Sequence, residues 1–197
     1  MLPLIKEPGR PPKWPRRDLV DAILYVVRTG CSWRQLPADF PPWETVYGWF
    51  QRWEQRQVTQ RIVDTLREEI RLVEGREAEP TAGVIDSQSV KGSDTVGAHS
   101  RGYDAGKKVN GRKRFVVTDT LGLLVTAWVL AASWQDRDGA KGALVAAVLT
   151  VPSMRHVFAD QGFAGRMVDW AKVTLRTTVE IVRKPADQQG FVVHPRR

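Results

Sequence analysis

Residues Gly83 to Val90 read GVIDSQSV, and how this run is interpreted decides the fold. A β-branched pair, Val84 and Ile85, leads directly into Asp86, and two hydroxyl residues, Ser87 and Ser89, follow it. A second apolar-to-acid step, Val157-Phe158-Ala159-Asp160, comes 74 residues after the first. Short apolar runs bounded by turn residues read as buried strands. An acid at the end of a buried strand is poorly hydrated and needs a partner. A metal ion, an arginine or a helix N-terminus would each serve. The plainer alternative is that each acid caps a local turn.

Working outward, the 197 residues suffice for one or two domains with a sizeable core. Hydrophobic content of 42% and charged content of 26% are those of an ordinary soluble domain. The lone Cys31 excludes an internal disulfide and a thiol-rich zinc site, and fits a reducing cytosol. The N-terminus lacks a basic-then-apolar signal pattern, and the longest apolar stretch is far too short for a membrane span. A net charge of +8 points to a polyanionic partner. Residues 81–197 hold 17 Lys and Arg against 10 Asp and Glu, so most of the excess lies there. It is densest at Lys91, Arg101, Lys107, Lys108, Arg112, Lys113 and Arg114, which face only Asp94 and Asp104. These seven are the expected nucleic-acid contacts; a merely solvated basic loop is the alternative.

Residues 1–15 contain five prolines and read as an extended arm. Residues 16–75 read as a small all-helical domain. Leu19, Ile23, Val26 and Val27 recur at helical spacing until Gly30. Ser32 and Gln35 form a capping box for a short helix, Trp33 to Leu36. Val46, Trp49, Phe50 and Trp53 mark a third helix, and Ile62, Leu66, Ile70 and Val73 the apolar side of a fourth. A short helix, a tight turn and a longer helix suggest a helix-turn-helix that offers Tyr47, Gln51, Arg52 and Gln55 to DNA. A plain helical bundle is the competing reading. Residues 76–80 read as the linker.

From residue 81 the period changes. Thr81 to Ile85 reads as a strand, and Ser87 to Lys113 as a long basic loop. Arg114 to Thr118 and Leu123 to Leu130 read as a hairpin whose turn holds Asp119. Asp136 or Asp138 is placed to cap a helix with Ala140, Leu144, Val145 and Val148 on its face. Val157 to Ala159 is a strand, Gly162 to Val173 a helix, and Val179 to Val182 the last strand. This order predicts an α/β domain over residues 81–197, a mixed sheet with helices packed on it. If its first and fourth strands are neighbours, Asp86 and Asp160 meet. Two adjacent carboxylates repel unless a cation lies between them, and hard oxygen ligands suit Mg²⁺ or Mn²⁺.

The chain resembles bacterial insertion-sequence transposases of the DDE type, in the group named for insertion sequence 5. The N-terminal match is RTGCSWRQLPADFPPWETVYGWFQRW, Arg28 to Trp53. Further matches are IDSQSVKG at Ile85 to Gly92, GYDAGKKVNGRKR at Gly102 to Arg114 and DTLGLL at Asp119 to Leu124. QDRDGA at Gln135 to Ala140 and ADQGFAG at Ala159 to Gly165 continue the series in order. The resemblance implies a ribonuclease H-like catalytic domain behind a helical DNA-binding domain. It implies metal-dependent cleavage at element ends and joining to target DNA, with Asp86 and Asp160 as the first two acids of the triad. Double-stranded DNA, both terminal repeats and target, is then the partner. A homo-oligomer stays open, and a bacterial cytoplasmic, nucleoid-associated location follows. Phe115 and Phe163 depart from the histidine and tyrosine that relatives often carry.

A third acid is expected on a helix beyond a Pro-Arg-Arg segment. Here that segment is Pro195-Arg196-Arg197, where the sequence stops. Glu180, the nearest upstream glutamate, falls inside the last strand and is a poor substitute. The expectation is therefore a transposase domain truncated before its last ligand. The alternative function is a non-catalytic DNA-binding fragment that occupies element ends and hinders the full-length enzyme.

Overall fold

The computed structural model describes residues 13–93 and 97–183. The chain divides into two compact units, Met1–Thr65 and Leu66–Arg197. Most of the expected N-terminal arm, Asp94 and the Pro195-Arg196-Arg197 segment lie outside the described residues.

The first unit is helical. Helix α1, Arg16–Thr29, ends at Gly30, whose φ of 69° is left-handed and whose N–H donates to the Val26 carbonyl. Glycine adopts that conformation without a Cβ penalty, which is why the helix stops there. A 3-10 turn, Trp33–Gln35, follows, and its Gln35 side chain accepts from the Ser32 N–H at 3.2 Å. Helix α2 spans Trp43–Gln55 and helix α3 Val58–Val73. Leu19, Ala22 and Val46 form the buried centre, with Trp14, Ile23, Trp33, Leu36, Phe40, Trp49 and Trp53 packed around it. The Trp33 ring lies 5.3 Å from both Tyr47 and Phe50. Val27, expected on the buried face of α1, is 71% exposed, and Ala22 takes that role instead.

The second unit is a mixed α/β layer structure. Its strands are β1 (Ala82–Lys91), β2 (Gly102–Asp104), β3 (Val109–Asp119), β4 (Leu124–Ala131), β5 (His156–Ala159) and β6 (Thr178–Ile181). Both β2 and β4 pair with β3, and the sheet continues through β1 and β5 to β6. Strand β3 runs antiparallel to β1, β2 and β4, whereas β1, β5 and β6 are parallel. The order β4-β3-β1-β5-β6, with β3 alone reversed, is that of a ribonuclease H-like sheet. Helices α4 (Asp136–Thr150) and α5 (Arg166–Trp170) supply the apolar cover. The core joins Ile85, Phe115, Val117, Val157 and Ala159 of the sheet to Ala140, Ala143, Leu144, Ala147, Phe163 and Met167. Gly139 lets α4 approach: a Cβ there would stand 2.2 Å from the Phe115 ring. Val145 is on the open side of α4, not in its core face.

Two expectations are corrected. The basic stretch from Ser87 to Lys113 is not a single loop but is strand at both ends, with β2 between them. Ser87 to Lys91 pair with Phe115 to Gly111, and β2 adds a further rung. Serine and glutamine carry little strand signal of their own, so the pairing partner decides. The apolar side of α3 is likewise not its covered side. Leu66, Ile70 and Val73 are exposed, while Arg67 and Arg71 are buried. Arg67 donates to the Leu124 carbonyl and Arg71 to Asp119 and the Glu77 carbonyl, so these arginines have partners that compensate their burial. Among the described residues no helix is long and apolar enough to cross a membrane.

Candidate active site

Strands β1 and β5 are hydrogen-bonded neighbours, and Ile85 pairs with Ala159 as the last rung of their ladder. Asp86 and Asp160 each follow by one residue, so the two acids are neighbours across the sheet, where adjacent strands lie about 5 Å apart. Side chains alternate across a strand, so both continue the face that carries Val84 and Phe158, opposite the buried Ile85 and Ala159. Each acid fixes one of its oxygens locally. Asp86 Oδ1 accepts from the Ser87 N–H at 2.8 Å, and Asp160 Oδ1 accepts from the Gly162 N–H at 2.8 Å. Asp160 thereby caps the 3-10 turn Gln161–Phe163. Both carboxylates are exposed, so water solvates them and their burial costs little. Asp86 also lies within β1 and not at its end, because the β3 ladder carries the strand on to Lys91.

Two exposed carboxylates on adjacent strands form a hard-oxygen donor set, which suits a divalent ion of the Mg²⁺ or Mn²⁺ type. Among the described residues no group of three His, Cys, Asp or Glu converges. Glu180 pairs with Phe158 across the sheet and holds His156, with Oε2 at 2.9 Å from Nε2. It therefore points along the same face but is engaged elsewhere. Asp119 is a turn residue as expected, since its Oδ1 accepts from the Leu121 and Leu123 N–H groups. Its other oxygen takes the Arg71 guanidinium, a partner 48 residues away that local sequence does not reveal.

The seven basic residues separate into two kinds. Lys91, Lys107, Lys108, Arg112 and Arg114 are exposed, and Arg101 is half-buried. Arg112 and Arg114 lie on the same face as Asp86, because Asp86 pairs with Val116 and Gln88 with Arg114. Arg114 donates to the Gln88 side chain at 2.5 Å, and Lys107 Nζ to the Ser87 carbonyl at 3.0 Å. Lys113 is different: it is 5% exposed and cannot reach a phosphate. The alternation of β3 turns it inward, where Nζ meets the Trp134 carbonyl at 2.8 Å, Asp136 at 3.0 Å and Asp104 at 3.3 Å. Its expected role as a DNA contact is therefore withdrawn. In the first unit Gln51, Arg52 and Gln55 are exposed on α2, and Arg52 stacks 4.5 Å over the Trp49 ring.

Asp104, Asp136 and Ser87 had no assigned role in the site. The sequence places Asp136 or Asp138 as the cap of this helix, yet the N-cap of α4 is Gln135 and both acids lie in its first turn. Only the two-residue alternation of Ser87 and Ser89 hinted that both hydroxyls face inward. Asp104 is held well below the usual carboxylate range, first by the Ser89 hydroxyl, then by the Lys107 N–H and the Lys113 ammonium. An unfolded aspartate titrates near ~3.9, so the stabilisation by Asp104 is complete above that value. As pH falls further, the unfolded chain takes up the proton first and the stabilisation is lost. In urea melts, the stability gap between wild type and Asp104→Asn should be constant above about pH 5 and shrink below about pH 4. A gap that stays constant down to about pH 2 would exclude this network.

Residues 77–196 match the family described as Transposase DDE domain. Residues 1–63 match the family DUF4096, described as a transposase of IS4/5 family. Among curated proteins none matches the chain. Two solved structures are similar, the Mos1 transposase paired-end complex with left transposon end and the Mos1 Strand Transfer Complex. Identity is 13% and 14%, with TM-scores of 0.34 and 0.33. Each match covers 88% of this chain, which spans 60% of the solved one. With the DDE family matched over residues 77–196 and a transposase model of the IS4/5 family matched at its N-terminus, this chain belongs to the DDE-domain transposases.

Proposed function

We propose that this transposase cuts and joins insertion-sequence ends in a metal-dependent reaction, with Asp86 and Asp160 as two of the acids that hold the divalent ion. The observation that carries this reading is the placement of both acids one residue past the Ile85 and Ala159 rung of two parallel strands. Bound there, Mg²⁺ or Mn²⁺ would activate an attacking oxygen and stabilise a leaving one. The protein's own part is to hold those carboxylates in place and to grip the phosphates. Lys91, Arg101, Lys107, Lys108, Arg112 and Arg114 do the latter, and α2 presents Gln51 and Arg52 to the element ends in helix-turn-helix fashion. The test is to incubate the full chain with duplex DNA bearing the ends of its element, in Mg²⁺, in Mn²⁺ and in chelator. Cleaved and joined products should form with either metal and not in chelator. DNA binding without cleavage in any buffer would instead favour the non-catalytic fragment that occupies element ends.

The basic face has its own expected result. Phosphate contacts release counterions, so log affinity falls linearly with log salt, by about 0.9 per contact. Lys108→Ala with Arg114→Ala should reduce the magnitude of that slope by roughly 2 and weaken all duplex sequences alike. An unchanged slope in fluorescence anisotropy would place the DNA on another surface.

A further inference from the structure

Lys113 stands at the centre of a buried polar cluster to which neither Asp86 nor Asp160 belongs. Its side chain is 6% exposed, and those of its partners Asp104 and Asp136 are 10% and 26% exposed. Two inward-facing hydroxyls of β1 complete the cluster. Ser87 Oγ donates to Asp136 Oδ1 at 2.8 Å, and Ser89 Oγ to Asp104 Oδ2 at 2.5 Å. Ser87 directly follows Asp86, and its N–H is the group that fixes Asp86 Oδ1. The other oxygen of Asp136 lies beside Gly162. A Cβ placed on Gly162 would lie 3.2 Å from Asp136 Oδ2 and 3.0 Å from Asp160 Oδ1. Gly162 is also the residue whose N–H fixes Asp160.

Asp136 thus touches the residue that anchors Asp86 and abuts the residue that anchors Asp160. A further carboxylate beside Gly162 would add negative charge next to the residue that anchors Asp160 unless that charge were compensated. Lys113 supplies that compensation from the buried side. Charge-assisted hydrogen bonds are short and directional, so the clamp fixes position as well as charge. We propose that Asp136, clamped by Lys113, is a positioning residue that sets the Asp86 and Asp160 carboxylates relative to each other for the divalent ion. This rests on the reading of those two acids as the metal-holding pair.

Residues that orient metal-holding groups typically change affinity or activity by about 10- to 100-fold when removed. The test uses the full chain with Mn²⁺ alone as probe, its free concentration read by electron paramagnetic resonance. Asp136→Ala and Ser87→Ala should weaken Mn²⁺ binding by about 10- to 100-fold. Asp136→Asn, which keeps an acceptor for Ser87, should recover part of the loss. DNA affinity in chelator should be unchanged, and the single-turnover cleavage rate should fall without a change in half-saturating DNA. Ser87→Ala removes one hydroxyl only, so it decides the matter if Asp136→Ala fails to fold. Folded Ser87→Ala and Asp136→Ala proteins that bind Mn²⁺ like wild type, while Asp86→Asn loses it, would overturn the proposal and leave the metal-pair reading standing. Wild-type Mn²⁺ affinity in Asp86→Asn would remove that reading, and the positioning role with it.

Discussion

Asp86→Asn and Asp160→Asn should each slow cleavage of element-end DNA by about a thousandfold or more, equivalent to about 4 kcal/mol of transition-state stabilisation. Asparagine keeps an oxygen that can accept from the Ser87 or Gly162 N–H, so the local backbone should hold. What it removes is the negative charge and a strong oxygen donor. Charge developing in the reaction exists mainly in the transition state, so the loss falls on the chemical step. DNA affinity, governed by phosphate contacts, should stay within about twofold. Single-turnover cleavage measured beside anisotropy separates the two effects. A variant that cleaves at the wild-type rate would exclude its aspartate from the site. One that loses cleavage and DNA binding together would point to a role in DNA contact.

The largest expected effect on stability belongs to Asp119. It is fully buried, and its Oδ2 lies 2.7 Å from an Arg71 nitrogen that is itself nearly inaccessible. Its Oδ1 holds the N–H groups of Leu121 and Leu123 at 2.9 and 2.8 Å, closing the turn between β3 and β4. Asp119→Ala leaves a guanidinium buried without its counter-charge and two N–H groups without an acceptor. Removing one member of a buried pair costs about 3–5 kcal/mol. That is a large share of the roughly 5–15 kcal/mol by which domains are stable. Arg71→Ala should cost a similar amount, and the double variant clearly less than the two together. Urea denaturation monitored by tryptophan fluorescence measures all three. A cost below about 1 kcal/mol for Asp119→Ala would mean the pair contributes little net stability.

Gly30 illustrates what local sequence can say. It follows an apolar periodic run, adopts a left-handed conformation and ends α1, all of which act within a few residues. The Ser32 and Gln35 pair is read the same way. Asp119 shows where such reasoning stops. Its turn role is local and legible, but its Arg71 partner comes from a helix whose apolar stripe pointed to the opposite face. Periodicity states which side chains share a face; it does not state which face another element will cover.

The sequence by itself singled out Asp86 and Asp160 as the candidate acids. Two apolar runs that each lead into an aspartate read as buried strands, and the ladder between β1 and β5 then puts Asp86 and Asp160 on one face. Hydrophobic burial favours such strands and depends on residue type, but it does not decide which strands become neighbours. Only the tertiary structure decided the fate of the polar residues between them. Ser87 to Lys91 became strand because β3 offered a ladder, and that ladder turned Arg112 and Arg114 outward and Lys113 inward. Lys113 and Asp136 are 23 residues apart, and Ser87 and Asp136 are 49 apart. An ion pair or a hydroxyl bond over such separations leaves no periodic trace in the chain. It forms only once packing has brought the groups together and removed the water that would otherwise solvate them.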